Sequence, residues 1–220
     1  MGLARSPRLR VIAELVTDGG PGATPVVDIG ADHGRLANAL GALAVERLPH
    51  RRAATSGVWL ISDGLTALRG VGTAVVAGMG ADRIAGILAT SDATRAVLHA
   101  QDDPARLRVW LATHGWRIVD ERVAPEGRGW AEIIAAERGT EPTTGAELRL
   151  GPRLAARRAD PDVAAAWAAR RSRLAAELAE IEAAGHPAPR EREEDLARLD
   201  AWVSDGQGPP GDAILRPPDR

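Results

Sequence analysis

One stretch constrains this chain more than any other: Val26-Val27-Asp28-Ile29-Gly30-Ala31-Asp32-His33-Gly34. A short apolar run ends in an acid and a glycine-containing turn, and a helical pattern opens behind it. A strand buried on both faces reads this way, because it has no wet side that would force alternation. Gly30 lets the backbone turn and come close to a ligand. The free N–H groups at the next helix start face the same place. Such a strand needs neighbours of its own kind. Further apolar runs at 42–45, 58–61, 73–77 and 96–98 supply them. Strands alternating with crossovers predict an α/β fold with a parallel, doubly wound sheet. The segments 116–123 and 130–137, around a turn at 125–129, add an antiparallel pair. A helix is expected over 8–16, and another over 107–113, stopped by Gly115.

Beyond Gly151-Pro152 the period changes. Val163, Trp167, Leu174, Leu178 and Ile181 recur at spacings of four, seven, four and three, one apolar stripe on a helix. The segment 185–189 breaks it, and Leu196, Leu199 and Val203 form a second stripe. Two stripes joined by a tight turn predict an antiparallel helical hairpin or short coiled coil. The expected division is a ligand-binding domain over 1–150, the hairpin over 151–204 and a disordered Gly/Pro-rich tail over 205–220.

Composition removes several classes of chemistry. With no cysteine there is no disulfide, thiolate metal site or Cys nucleophile. His and acid residues show no ligand spacing, so no metal is expected. Ser56 and Ser62 have no plausible His–Asp partners, which leaves a hydrolase triad without support. His50, His114 and His186 read as surface or turn residues. No 18-residue apolar run exists and 1–10 is polar, so neither a membrane nor a leader is expected, and the cytoplasm is the expected location. All 28 basic residues are arginine, and the formal net charge is −2. Any nucleic-acid surface must then be a local patch. Arg149, Arg153, Arg157, Arg158, Arg170, Arg171 and Arg173 form one candidate patch, and Arg47, Arg51 and Arg52 a second. The alternative for the first is a solvated helix face paired with the acidic stretch 177–200.

The turn after the first strand narrows the ligand. A dinucleotide fingerprint, Gly-x-Gly-x-x-Gly, would have its second glycine where Asp32 stands. An anion there repels a pyrophosphate and accepts a cation. S-adenosylmethionine carries a sulfonium and an ammonium and no phosphate. Glu46 ends the second run, 18 residues after Asp28, where an acid grips ribose hydroxyls. Ser62-Asp63-Gly64-Leu65 follows the third run and Ala77-Gly78-Met79-Gly80 the fourth. Any one of these could be a simple turn. Four successive strand ends with small or acidic residues point to a ligand crevice.

Together with 107–111, His114-Gly115-Trp116, Asp120-Glu121, 132–137 and the helical C-terminal pair, these motifs resemble the bacterial tRNA (adenine-N1)-methyltransferases of the TrmK type, over roughly residues 4–203. The resemblance implies a Rossmann-like class I methyltransferase sheet with a helical C-terminal domain. It implies S-adenosyl-L-methionine as cofactor and N1 of adenosine 22 of tRNA as target. By position, Asp28, Gly30 and Asp32, with His33 beside them, would line the methionine end. Glu46 would hold the ribose and Asp63-Gly64 the adenine. Gly78, Met79 and Gly80 would floor the site near the target base, and His99 lies where this class often touches that base. Arg170 and Arg171 would meet tRNA phosphates. A monomer working without a metal is expected.

The chemistry fits that implication. Adenine N1 is already a lone-pair nucleophile, so catalysis is mainly alignment. The product is a cation, which a carboxylate could stabilise; Asp32 is the candidate. The base must be flipped or unpaired to be reached. The family pattern is broken at Arg35-Leu36-Ala37, Ala81 and His99-Ala100-Gln101, and the second and third crossovers are short. Those departures keep two other readings open: a non-catalytic binding module of the same fold, and a methyltransferase with a different substrate.

Overall fold

The computed structural model describes residue 3 and residues 6–20, 24–49 and 57–202. The expectations for His50, Arg51, Arg52, Ser56, Val203 and the 205–220 tail fall outside these residues.

Seven strands form one sheet. They are β1 (Val26–Ile29), β2 (Leu43–Glu46), β3 (Trp59–Ile61), β4 (Thr73–Met79), β5 (Arg95–Ala100), β6 (Trp116–Glu126) and β7 (Gly129–Arg138), in the order β3-β2-β1-β4-β5-β7-β6. The first five run parallel, with Val27 opposite Leu43 on one side and Ala74 on the other. The last two form a hairpin, and β7 enters antiparallel beside β5, Val97 facing Ala135. The chain walks outward from β1 to β3 and then returns to place β4 beside β1. That reversal leaves a crevice outside the carboxyl ends of β1 and β4.

Alternate residues of the central strands feed opposite faces. Val76 and Leu98 join Val27, Ile84, Leu107 and Trp116 on one side. Val75 and Val97 join Ile12, Leu15, Ile133 and Ala135 on the other. Helix α1 (Pro7–Thr17) covers this second face; the Ser6 hydroxyl accepts the Leu9 N–H at its start. The first crossover carries only α2 (Arg35–Leu40). The described parts of the next connection, 47–49 and 57–58, belong to no α-helix. Helix α3 (Ala81–Ala89) links β4 to β5. Helix α4 (Pro104–Thr113) starts three residues before the apolar pattern does. Asp103 and Pro104 set that start: the Asp103 carboxylate accepts the Arg106 N–H at 3.0 Å, and proline suits a first helical turn.

After β7 come α5 (Gly145–Leu150), α6 (Pro152–Ala155), α7 (Pro161–Ala183) and α8 (Arg190–Trp202). The last two pair antiparallel, with Arg171 beside Asp200 and Arg192 beside Glu177. Their seam buries Val163, Trp167, Leu174, Leu199 and Trp202. On α8 the buried line runs Asp195-Leu199-Trp202, and Leu196 is only partly covered. An acid sits in that line because it has a basic partner across the seam. Arg149 places its fork on Asp195 at 2.8 and 3.0 Å. The network continues into the sheet. Arg108, fully buried, donates to Glu121 and Glu132 at 2.6 Å each and to the Arg149 carbonyl at 3.1 Å. Arg170 lies between Glu132 (3.5 Å) and Asp195 (3.7 Å). Charges this deep persist only when paired, so the hairpin is locked to the sheet.

Candidate functional site

A cleft of about 560 Å³ opens where the reversal predicts, at the carboxyl ends of β1 to β4. Asp28, Gly30, Asp32, His33, Glu46, Asp63, Gly64, Gly78 and Met79 all line it. Each is delivered by a strand end or the turn behind it.

The turn after β1 depends on its glycine. Gly30 has φ +73°, and a Cβ there would lie 2.4 Å from the Met79 Cε. Asp32 also takes a left-handed backbone, φ +46°, which Asp tolerates better than most residues. Helix α2 then begins at Gly34, which has no side chain to cap it. Asp28 does that work from the strand: its Oδ2 accepts the Ala37 N–H at 3.0 Å. Asp28 is only 5% exposed. Burial raises its pKa to about 7, against the Ala37 bond and with help from Glu46. Glu46, also buried, accepts the Arg47 N–H at 2.9 Å and the Asp32 N–H at 3.3 Å. It thereby ties the first turn to the end of β2. Asp63 pairs at the mouth with Arg83 at 2.5 Å, and His33 lies 3.5 Å from Asp32. The floor of the cleft is acidic, and the buried pair Asp28 and Glu46 accept backbone N–H groups there.

The residues expected to touch the substrate fare differently: Gly80, His99, Arg170 and Arg171 are absent from the cleft lining. Gly80 is the N-cap of α3, where a Cβ would meet Asp102 at 2.8 Å; Asp102 accepts the Ala81 N–H at 2.8 Å and caps that helix. His99 is 2% exposed and sits behind Arg8 (3.3 Å) and Glu126 (3.4 Å). Burial, then Arg8, lowers its pKa to about 4, so it is neutral. Arg170 is buried in the hairpin seam and has no face for a phosphate. Arg171 is half-exposed but pairs with Asp200. Arg149, Arg153 and Arg157 are likewise spent on Asp195, Glu141 and Asp120. Only Arg158 and Arg173 of that patch are exposed without an ion pair among the described residues. Most of the patch is therefore committed to ion pairs within the fold, and of these arginines Arg149, Arg170 and Arg171 pair with the acidic stretch 177–200.

Among the cleft residues that the sequence reading did not assign to the site are Arg8, Leu9, Arg35 and Arg83. Arg8 and Leu9 come from α1, which carries no motif. Arg35 and Arg83 start the helices behind two glycine turns, so a count of residues past each turn could have found them. With Arg47 they put exposed guanidinium groups around an acidic floor. Among the described residues no cluster suits a metal ion, and no helix is long and apolar enough to cross a membrane.

A family model described as tRNA (adenine(22)-N(1))-methyltransferase matches residues 41–200. The fold is similar to that of a Streptococcus pneumoniae protein described as a candidate tRNA (m1A22) methyltransferase, at 25% identity and TM-score 0.71, covering 90% of this chain and 98% of that one. The complex of that protein with S-adenosyl-L-methionine aligns at 24% identity and TM-score 0.74, over 90% and 99% of the two chains. M. capricolum TrmK bound to S-adenosyl-homocysteine aligns at 16% identity and TM-score 0.70, over 90% and 96%. A search of curated proteins finds no match.

Proposed function

This chain belongs to the TrmK family of tRNA (adenine(22)-N(1))-methyltransferases, and from that premise we propose how its cleft carries out S-adenosyl-L-methionine-dependent methylation of N1 of adenosine 22 in tRNA. The observation that carries the reading is the convergence of nine strand-end residues on one acidic cleft at the reversal of strand order. The cofactor supplies the methyl group as a sulfonium.

The donor set fits such a cofactor. About 560 Å³ suits a small-molecule ligand. Asp28 and Glu46 complement a cationic amino-acid end and a ribose, and would disfavour a phosphate. Asp28 and Asp32 take the methionine end, Glu46 the ribose hydroxyls, and Asp63 with Gly64 the adenine. Asp32, in the lining of the cleft, would be the carboxylate to stabilise the positive charge the target ring acquires. Gly78 and Met79 form the floor that aligns N1 with the methyl group. Methyl transfer to a lone pair needs no metal and no strong base.

Arg35 and Arg47, exposed at the cleft mouth, are better placed for tRNA phosphates than Arg170. The hairpin of α7 and α8 acts as a rigid attachment. A cleft lined by a single chain supports a monomer, and a tRNA substrate supports action in the cytoplasm.

The test is methylation of unmodified tRNA, read as 1-methyladenosine by nucleoside mass spectrometry, beside calorimetric titration with S-adenosylhomocysteine. The wild type binds and methylates. Glu46→Ala stays folded and loses about 10–100-fold in affinity, the scale of a lost hydrogen bond to a charged group. A folded wild type that binds S-adenosylhomocysteine but yields no 1-methyladenosine would sink the reaction. Unchanged affinity in Glu46→Ala would remove the ribose role alone.

A further inference from the structure

Three acids line the cleft in strand order: Asp28 on β1, Glu46 at the end of β2 and Asp63 just past β3. Glu46 stands opposite Ile61, and the Ser62 N–H donates to the Glu46 carbonyl at 3.2 Å. The chain therefore runs on from β3 alongside the end of β2 and delivers Asp63 on the far side of Glu46 from Asp28. A ribose held at Glu46, with the amino-acid end at Asp28, turns its base toward Asp63.

Helix α3 closes that end of the cleft. Arg83 and Ile87 both line it, four residues apart and so on one face of the helix. Each meets one residue of the turn after β3. A Cβ on Gly64, which has φ +70°, would lie 3.2 Å from Ile87 Cγ1. Arg83 Nη2 donates to Asp63 Oδ1 at 2.5 Å. The other oxygen, Oδ2, makes no hydrogen bond among the described residues.

The Asp63 side chain is 63% exposed. Without a partner, such a carboxylate turns freely about two side-chain bonds. Holding one oxygen fixes the plane of the group and with it the direction of the other oxygen. Preorganisation of that kind raises affinity without a new contact to the ligand. Arg83 also offsets the charge of Asp63, so this end of the cleft does not share the floor's demand for a cation. A neutral donor suits it. Adenine offers one in its exocyclic amino group, whereas a 6-oxopurine presents an acceptor at the same place.

We propose that Arg83 is a positioning residue: by holding Asp63 Oδ1 it presents Oδ2 to the amino group of the cofactor's adenine, and so sets the preference for a 6-aminopurine. The inference rests on the cofactor-site reading above and deepens it. It brings α3 into a subsite that the strand-end motifs assign to the turn after β3 alone.

The test compares S-adenosylhomocysteine with S-inosylhomocysteine, in which oxygen replaces the 6-amino group. Both are titrated calorimetrically into wild type, Arg83→Gln, Arg83→Lys, Asp63→Ala and the double variant Asp63→Ala with Arg83→Gln, each checked by thermal melting. Wild type is expected to prefer S-adenosylhomocysteine. Asp63→Ala should lower that preference about tenfold, the scale of a lost hydrogen bond to a charged group. Arg83→Gln should lower it about 2–5-fold, the scale of an exposed ion pair, with Arg83→Lys nearer wild type. Once Asp63 is alanine, Arg83→Gln should change neither affinity further. Equal weakening of both ligands by Arg83→Gln would make Arg83 a support of the cleft wall and overturn the proposal. So would an unchanged preference in that variant. A further loss in the double variant would mean that Arg83 acts on the ligand without Asp63, which overturns it too. An unchanged preference in Asp63→Ala would remove the acceptor that Arg83 is held to position. A wild type that binds neither ligand removes the cofactor site itself, a result distinct from the failure of Arg83.

Discussion

Two of the regions that bury carboxylates among the described residues, the cleft floor and the seam between sheet and hairpin, satisfy them mainly in different ways. In the cleft, Asp28 and Glu46 accept backbone N–H groups. In the seam, Glu121, Glu132 and Asp195 meet Arg108, Arg149 and Arg170 at close range. The effect on protonation differs accordingly. Burial raises the pKa of Asp28 to about 7. Burial pushes Glu132 the same way, but Arg170 and Arg108 outweigh it and hold it below its ordinary value. One region keeps an unspent demand for a cation, which is what a binding site needs. The other has spent its charge on itself, which is what a rigid joint needs.

The largest effect that can break this comparison is expected in the seam. Arg108→Met leaves Glu121 and Glu132 short of a cation inside the protein. Removing one partner of a buried pair typically costs about 3–5 kcal/mol. Urea denaturation should register a loss of that size. A loss below about 1 kcal/mol would mean the network behaves like a surface ion pair and does not lock the hairpin.

The same contrast explains what the sequence disclosed. The cleft was legible because its residues are local to strand ends. A run such as Val26–Ile29 announces a strand, and the turn behind it carries its chemistry within a few positions. The sheet order follows from where such runs can pair. The seam was not legible, because its partners are far apart in the chain. Arg149 reaches Asp195 across 46 residues and Arg108 reaches Glu132 across 24. A sequence records that both charges exist, and only the fold brings them together. Read without partners, Arg170 looks like a phosphate contact. His99 failed for the same reason: its place at the end of β5 was right, but Arg8, 91 residues away, lies in front of it. The neighbouring Asp102, which caps α3, was hidden because a strand-end acid and a helix-capping acid look alike until the helix start is located.

An intermediate effect, in pH dependence, sharpens the cleft side. A free aspartate titrates near pH 4, whereas Asp28 in the fold titrates at about 7. Between those values the folded chain holds a proton that the unfolded chain has released. This contribution to stability is full below about pH 4 and is lost as pH rises to about 7. A cationic ligand favours the ionised form, so binding should release that proton and tighten from pH 6 to pH 8. Asp28→Asn keeps an oxygen for the Ala37 N–H and loses the titration. Its S-adenosylhomocysteine affinity should be lower and flatter across that range, and its stability relative to wild type should improve as pH rises. A wild-type affinity independent of pH would mean that Asp28 is not the group facing the ligand's charge.

The smallest effect comes from two neighbours. Arg170 and Arg171 are adjacent in sequence and look equivalent there. Arg170 is 7% exposed and lies among Glu132, Asp195 and two backbone carbonyls. Arg171 has a side chain 41% exposed and a single ion pair to Asp200. Exposed pairs of that kind are worth about 0.2–1 kcal/mol and weaken in salt. Arg171→Ala should therefore shift the urea midpoint slightly, and the shift should shrink as salt is added. Arg170→Ala should cost several times more and keep that cost in high salt, because water and ions do not reach its partners. It should also leave the salt slope of tRNA binding unchanged, since a residue sealed in the seam neutralises no phosphate. Equal small losses from both variants, or a salt slope that drops with Arg170→Ala alone, would move Arg170 from the joint to the RNA surface and erase the distinction between the two regions.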